Sequence, residues 1–281
     1  MTRAAQLSAL ERLMDDPSPV VRQAVLKGVQ AAGTEGILWL EQLSADESLG
    51  PYAKALLSEL RTPESSAQAL IRTLQAGEVD LEEACLLLER IHDPKLPDGA
   101  YKAKLDQLCE RTRELVAEPL DVRAKCRLLC RVLFGEEGFR GSQQSFATPE
   151  SSLLSHVLAD RRGIPISLCL VFLLVARRLG LPVEPVGLPG RFMVGVFRGK
   201  EPLYIDCYEG GAFRTRAEVQ LLLLDNQLPA DEAFLLPVTT HQTLARCCRN
   251  LVSQFEAQGD DRSSRLFLSF VHALEKTDER A

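Results

Sequence analysis

Three residues between the middle and the last third of the chain are of types that could carry out thiol chemistry. Cys169 lies in an apolar stretch, His156 precedes it, and Asp206 ends a short strand-like segment. A thiol nucleophile needs a base within hydrogen-bond reach and a carboxylate that orients this base. The set would support acyl transfer or hydrolysis if the fold joined its members. The alternative is that each residue packs separately.

The spacing of apolar residues, together with the positions of proline and glycine, predicts the helices and strands around these residues. The mostly apolar segment Ile164–Leu179 predicts a central helix, with Pro165 in its first turn and Gly180 as its stop. Cys169 lies one turn inside this helix, so its thiol is expected to face the core. Ser167 is expected to cap or pack. Short strands are predicted at Val183–Gly187, Arg191–Phe197 and Leu203–Cys207, followed by a helix at Arg214–Leu224.

The first 60 residues repeat at an offset of 30, as in the identical pairs Asp16/Asp46 and Ser18/Ser48. Each unit has the pattern of a helix, a turn and a second helix. Such a unit cannot bury its apolar face alone and must stack on a neighbour. The phrase Asp16-Pro17-Ser18-Pro19-Val20-Val21-Arg22 resembles HEAT-type repeats. We expect a helical front at residues 1–62 that packs on the rest of the chain.

Further helical patterns fill the segment up to the central helix, near Ala67–Gly77, Leu81–Ile91, Gly99–Val116, Asp121–Leu133 and Ser151–Ala159. At the other end, His241–Gln258 and Asp260–Glu275 predict an αα-hairpin with its turn at Gly259. Cys247 and Cys248 are adjacent in its first helix. Adjacent helical positions point about 100° apart, so only one of the two thiols is expected to face the interior.

Composition excludes several classes of function. The net charge of -6 and the pI of about 5.4 disfavour nucleic-acid binding, which needs clustered Lys and Arg. No stretch reaches the ~20 apolar residues of a membrane span. We therefore expect a cytoplasmic protein that binds neither nucleic acid nor membrane. The eight cysteines form no C-x-x-C pair, and Cys126 with Cys130 lacks further ligands, so we expect buried thiols, no metal and no cofactor.

Several short motifs carry a resemblance to a known family. They are Arg162-Gly163-Ile164-Pro165, Leu179-Gly180-Leu181, Pro189-Gly190, Ile205-Asp206 and Gly210-Gly211. The chain resembles the SirB-type family from about Ser66 onward. That resemblance implies an α+β, mostly helical fold: a transglutaminase-like (papain-like) core with a small antiparallel sheet, then a tetratricopeptide-like helical hairpin. The HEAT-like front is not part of the usual pattern of that family; with it, the expected domains are 1–62, 63–228 and 229–281.

The resemblance also places the catalytic positions of the wider transglutaminase-like superfamily on this chain. The position of the nucleophilic Cys, at a helix N-terminus, falls on Pro165. The position of the His base falls on Arg191, and only Asp206 matches. Proline has no nucleophile, and arginine stays protonated and cannot act as a base. The resemblance therefore implies a noncatalytic protein.

Two functional hypotheses remain open from the sequence. The first is a protein- or peptide-binding module whose cleft contains Phe139, Arg162, Arg191, Phe192, Asp206 and Tyr208. Arg162, Arg191 and Arg198, with free N–H groups of the central helix, could bind an anion there; solvated charge, or a pair with Asp206, is the simpler interpretation. The second is a thiol-dependent acyltransferase or protease with Cys169 as a displaced nucleophile and His156 as base. The oligomeric state is left open.

Overall fold

A computed structural model describes residues 3–60, 63–75, 79–96, 98–141 and 147–278. The chain divides into two compact units. The first comprises Met1–Ala69 and Arg90–Leu96, and the second comprises Leu70–Glu89 and Pro97–Ala281. In the described part of the chain, no helix combines the length and the apolar character needed to cross a membrane. The predicted domain limits at 62/63 and 228/229 remain predictions.

The first unit is built from two helix–turn–helix repeats. Its helices are α1 (Arg3–Glu11), α2 (Pro19–Ala32), α3 (Thr34–Leu43) and α4 (Gly50–Leu60), followed by the start of α5 (Pro63–Gln75). Consecutive helices pack on each other around a core that includes Val25, Val29, Leu40 and Leu56, with Trp39 half-buried beside it.

The repeat is visible in the turns. Asp16 accepts a hydrogen bond from the Ser18 N–H at 2.8 Å, and Asp46 accepts one from the Ser48 N–H at 2.8 Å. The same side chain thus forms the same turn at the same offset in both repeats. Pro19 begins α2, as its lack of an N–H allows.

The second unit is mostly helical. Its helices are α6 (Leu81–His92), which ends in the first unit, and then α7 (Asp98–Leu115), α8 (Val122–Cys130), α9 (Leu154–Asp160), α10 (Pro165–Arg178), α11 (Arg216–Asp225), α12 (Thr240–Gln258) and α13 (Asp261–Asp278). A π-helical turn at Arg131–Glu136 extends α8. Every residue of α10 from Pro165 to Ala176 is buried, and α10 contacts α7, α8, α9 and the sheet. The predicted central helix is therefore confirmed.

The small antiparallel sheet is also confirmed. It has the order β3 (Glu184–Val186), β4 (Met193–Val196), β5 (Leu203–Asp206) and β6 (Ala212–Thr215). Separately, β1 (Arg140–Gly141) and β2 (Arg162–Gly163) form a two-residue parallel pair. All of β4 is buried because α10 covers one face of the sheet, while Met193 on the other face clusters with Val219 and Leu223 of α11.

One element was wrongly predicted after the sheet. Residues 214–215 were assigned to a helix, but they belong to β6, and the helix begins at Arg216. Thr215 and Glu218 form a reciprocal capping box in which the Thr215 N–H donates to Glu218 at 2.6 Å. The local signal for this boundary, Thr-x-x-Glu, was in the sequence.

The expectation for the two adjacent cysteines was also wrong. Helices α12 and α13 pack along each other, with the rings of Phe255 and Phe267 stacked at 5.4 Å. Both Cys247 and Cys248 are buried, and burial raises the pKa of each thiol far above its ordinary value. Cys85 lies close enough to act electrostatically on Cys248, so α12 is covered on more than one side.

Arg178 anchors the C-terminal end of α10. Its guanidinium donates to both carboxylate oxygens of Glu82 on α6, at 2.6 and 2.7 Å, and to Asp106 on α7 at 2.7 Å. The side chains of Arg178 and Glu82 are each only 19% exposed. A bidentate pair at this depth fixes both distance and orientation, which an exposed pair does not.

Replacing Arg178 with Met should lower the free energy of unfolding by about 1.5–3 kcal/mol, because Glu82 is left half-buried without its charged donors. Arg178→Lys should lose an intermediate amount, since lysine cannot bind both oxygens in a fork. The exposed neighbour Arg177 is the matched control, and Arg177→Met should change stability by less than about 0.5 kcal/mol. Urea unfolding measures all three; equal losses for Arg177→Met and Arg178→Met would contradict this role.

Candidate functional site

The N-terminus of α10 is sealed into the core. Pro165 is its first residue, and Ser167 accepts a hydrogen bond from the Ile164 N–H at 3.1 Å. The Ser167 hydroxyl donates to the Ser151 carbonyl at 2.7 Å. Pro165, Ile166, Ser167 and Leu168 are all buried. Ser167 therefore caps the helix, as predicted, and a solvent anion has no open path to the N–H groups here.

Asp206 lies fully buried at the end of β5, between two arginines. The Nε atom of Arg191 is 3.0 Å from its Oδ2, and the Nε of Arg214 is 3.6 Å from the same oxygen. Neither N–H points along the line to Oδ2, so both contacts are electrostatic rather than aligned hydrogen bonds. The other oxygen, Oδ1, accepts from the Glu209 N–H at 3.2 Å. The pair with Arg191 that the sequence offered as the simpler interpretation is present.

Asp206 belongs to a cluster of four charged residues, which are Asp206, Glu209, Arg191 and Arg214. Arg191 donates through Nη2 to Glu209 at 3.0 Å. Burial raises the pKa of Asp206 above its ordinary value, and the positive charges of Arg191 and Arg214 offset part of this rise. The charge of Arg191 is thus matched within the fold, which leaves it poorly suited to recognise a separate anion.

The displaced-nucleophile set is not joined in this fold. Cys169 is fully buried, and its thiol donates to the Phe192 carbonyl at 3.3 Å. His156 is exposed on α9, and the described residues contain no hydrogen bond between the two. Cys207 is also buried beside Cys169, and burial raises the pKa of Cys207. The Cys169 sulfur is therefore out of reach of a substrate in solution.

The six residues expected in a cleft occupy different environments. Phe139 and Phe192 are each only 2% exposed and belong to the core. Tyr208 is half-buried and packs against Gly141, while Arg162 is exposed. Among the described residues, no group of three or more His, Cys, Asp or Glu could hold a metal ion.

A concave site lies elsewhere around Arg191, between the turn after β3 and helix α11. It is a cavity of about 270 Å³. Most of its lining residues are apolar, including Leu188, Pro189, Val219, Leu222 and Leu228, but Arg191 and Asn226 also line it, and polar atoms form as much of its surface as apolar atoms do. The contributing positions on α11, such as Val219, Leu222 and Leu223, share one helical stripe. Leu221 and Leu224, both exposed, lie on the opposite face of α11 and do not line the cavity.

Sequence reasoning missed Arg214 and this cavity. Arg214 was assigned to a helix, which would have turned it away from Asp206; as the third residue of β6 it pairs with Tyr204 across the sheet. The Thr215–Glu218 capping box would have identified it as a strand residue. The cavity had no comparable signal, because it depends on how α11 packs against a turn.

The Asp206 carboxyl should titrate above the ordinary pKa of an aspartate, and two variants should move its pKa in opposite directions. Arg191→Gln should raise it further by removing an offsetting positive charge, and Glu209→Gln should lower it by removing a negative charge. Carbon-13 NMR of the carboxyl group measures all three values. A lower pKa in Arg191→Gln would contradict the proposed balance of burial and charge.

The raised pKa of Asp206 also determines how its contribution to folding stability changes with pH. Because the folded pKa lies above the unfolded one, the folded state binds more protons in the interval between them. The contribution of Asp206 to stability is therefore full below the unfolded pKa and is lost as pH rises through the folded pKa. Unfolding of the wild type and Asp206→Asn across this interval should show their difference changing in that direction.

Comparison of the chain with known proteins shows which protein family it resembles in sequence. The transglutaminase-like superfamily matches residues 99–249, which include α10, the sheet and Asp206. A UPF0162 protein of Xylella fastidiosa (strain Temecula1) is 32% identical over 206 residues, covering 69% of this chain and 72% of the relative. A UPF0162 protein of Pseudomonas aeruginosa is 31% identical over 196 residues, covering 69% and 71%.

A similar region occurs in a larger human protein. Human F-box only protein 21 is 29% identical over 194 residues, which cover 66% of this chain and 29% of that protein. No solved structure matches the chain. The match to residues 99–249 spans more than half of the sequence and contains the site described above. The chain therefore belongs to the transglutaminase-like superfamily.

Proposed function

We propose that this protein is a noncatalytic member of the superfamily that binds a peptide segment of another protein. The observation that carries the proposal is the Arg191–Asp206 contact at 3.0 Å. In a thiol triad the Asp orients an imidazole base. Here Asp206 orients a guanidinium, which cannot accept a proton. Pro165 stands at the position that the resemblance assigns to the nucleophilic cysteine, and it supplies no thiol.

The cavity beside Arg191 supports the binding function. Its volume of about 270 Å³ is slightly below the ~300–1,000 Å³ of ordinary small-molecule sites. That size suits one or two apolar side chains better than a cofactor. Because Asp206 and Glu209 already match the charge of Arg191, the rim favours an uncharged segment. The proposed occupant is therefore an apolar side chain of a partner peptide.

The wider organisation is part of the same proposal. We place the chain in the SirB-type family, with HEAT-like repeats at 1–62, the transglutaminase-like core at 63–228 and a tetratricopeptide-like hairpin at 229–281. Helical repeats of both types offer surfaces to protein partners. The related region of F-box only protein 21 is a minor part of a longer chain, which suits a module that works beside other domains. We propose a cytoplasmic location.

The second candidate function, a thiol-dependent acyltransferase or protease, rests on Cys169 with His156. Its requirements conflict with the fold at two points. The Cys169 thiol is buried and bonded to the Phe192 carbonyl, and His156 is exposed on a different helix. Activity would need a rearrangement that opens the core around α10.

The purified protein should neither incorporate amines into a glutamine substrate nor hydrolyse peptides. Losing the nucleophile or the base of such a unit reduces the rate by several orders of magnitude, about 10⁴–10⁶-fold. Wild type and Cys169→Ser should therefore give the same background rate, and iodoacetamide should label no thiol of the native protein rapidly. Turnover in wild type that vanishes in Cys169→Ser would establish the second function instead.

Peptide binding can be tested with a random peptide library selected on the full-length protein. Selected peptides should be enriched in large apolar residues, and Leu222→Lys should weaken their binding about tenfold or more by placing a charge in the cavity. Leu221→Lys, one residue away on the opposite face of α11, should bind like wild type. Failure to select any apolar sequence, or equal losses in both variants, would contradict this site.

A further inference from the structure

Two arginines are held side by side at the edge of the second unit. In the parallel pair β1–β2, Arg140 is directly opposite Arg162, and Gly141 is opposite Gly163. The Arg140 N–H donates to the Arg161 carbonyl at 2.9 Å, which fixes this register. Backbones of paired strands lie about 4.8 Å apart. The side chains of Arg140 and Arg162 therefore leave the backbone at neighbouring points.

The two glycines explain why both arginines point outward. A Cβ on Gly163 would lie 2.6 Å from the Ser167 hydroxyl oxygen, and one on Gly141 would overlap the ring of Tyr208. The glycine face of the pair is thus pressed against protein. Successive side chains of a strand point to opposite faces. Arg140 and Arg162 therefore face away from this packing, and both are exposed.

Neither arginine is neutralised by an ion pair with any residue that the structure describes. Across the described residues, Arg140 and Arg162 form no ion pair, whereas the nearby Arg161 pairs with Glu137 at 3.0 Å. Glu137 also pairs with Lys104 at 3.2 Å, so its charge is shared already. Asp160 is the nearest acidic residue in sequence to Arg162, and it lies beyond ion-pair distance of both arginines. Two positive charges therefore lie on neighbouring strands with no ion-pair partner in the described part of the chain.

Like charges directly opposite each other on paired strands repel each other and destabilise the pair. A bound anion would remove that repulsion and gain charge-assisted hydrogen bonds from two planar forks. One carboxylate carries a single charge and would leave one arginine unmatched. A phosphate monoester carries about -1.5 to -2 at neutral pH and has three acceptor oxygens, so it matches both.

We propose that Arg140 and Arg162 form a binding site for the phosphate group of a phosphorylated peptide. A nucleic acid is the less suitable partner because it would need a longer track of unpaired basic groups than these two. The chain also carries a net charge of -6, which opposes a polyanion. The site is separate from the cavity at Arg191, and it does not depend on whether the protein is catalytic.

The test uses full-length protein and NMR signals of the arginine Nε–H groups, with O-phosphoserine and O-phosphotyrosine as probes and glutamate as the carboxylate control, all at constant ionic strength. The phosphorylated probes should shift the signals of Arg140 and Arg162 at lower concentration than glutamate. Arg140→Ala and Arg162→Ala should each weaken this binding about tenfold. Arg140→Lys should recover only part of it, because lysine does not form a fork.

Arg198→Ala is the matched control, since Arg198 is also exposed and has no ion pair within the described part of the chain. It should bind the probes like wild type and melt at the wild-type temperature. Arg140→Ala and Arg162→Ala should melt at that temperature or slightly above it, because each removes the repulsion between the two arginines. Equal binding of glutamate, or equal losses in Arg198→Ala, would overturn the proposal. Tighter competition by single-stranded DNA or by anionic vesicles than by the phosphorylated probes would also overturn it, in favour of those partners.

Discussion

The fully buried carboxylate of Asp206 constrains the surrounding sheet more than any other single group. A carboxylate moved out of water must be neutralised, paired or hydrogen-bonded. The chain meets this requirement with Arg191, just before β4, and Arg214, on β6. Since Asp206 itself ends β5, one charged cluster connects three parts of the sheet. Removing either arginine would therefore take away positive charge that offsets the burial of the Asp206 carboxylate.

The Asp206–Arg191 contact also bears on the proposed noncatalytic function. The resemblance to the transglutaminase-like superfamily assigns a carboxylate to position 206, and in this chain that carboxylate is fully buried. An imidazole at position 191 would present one nitrogen to Asp206 and the other to a thiol. A guanidinium presents donors on every side and no lone pair. Under the proposed noncatalytic function, Asp206 thus contacts a side chain that cannot accept a proton.

Much of this arrangement could be read from the sequence. The apolar segment around α10 and the three strands after it were predicted, as were the cap formed by Ser167 and the contact of Asp206 with Arg191. These features depend on local patterns or on neighbouring strands. The four-residue strand β6 carried too little periodicity to be recognised, and Arg214 was misplaced with it.

Other features depend on packing between distant segments, which no local pattern encodes. Cys247 and Cys248 are both buried because α12 is covered on more than one side, although a single helix would hide only one. The cavity beside Arg191 arises where α11 meets the turn after β3. The register that places Arg140 opposite Arg162 joins residues separated by 22 positions. Each of these three features depends on contacts between residues that are far apart in the sequence, so no local pattern predicts it.

The sealed start of α10 also bears on the proposed noncatalytic function. A nucleophile at a helix N-terminus must meet both the helix dipole and its substrate, so this end has to be accessible. Here Pro165 to Leu168 are buried, and Ser167 uses its hydroxyl to join Ile164 to Ser151. A cysteine placed at position 165 would therefore enter a buried helix start. The proposed absence of thiol chemistry thus rests on the packing around the start of α10 as well as on Pro165 and Arg191.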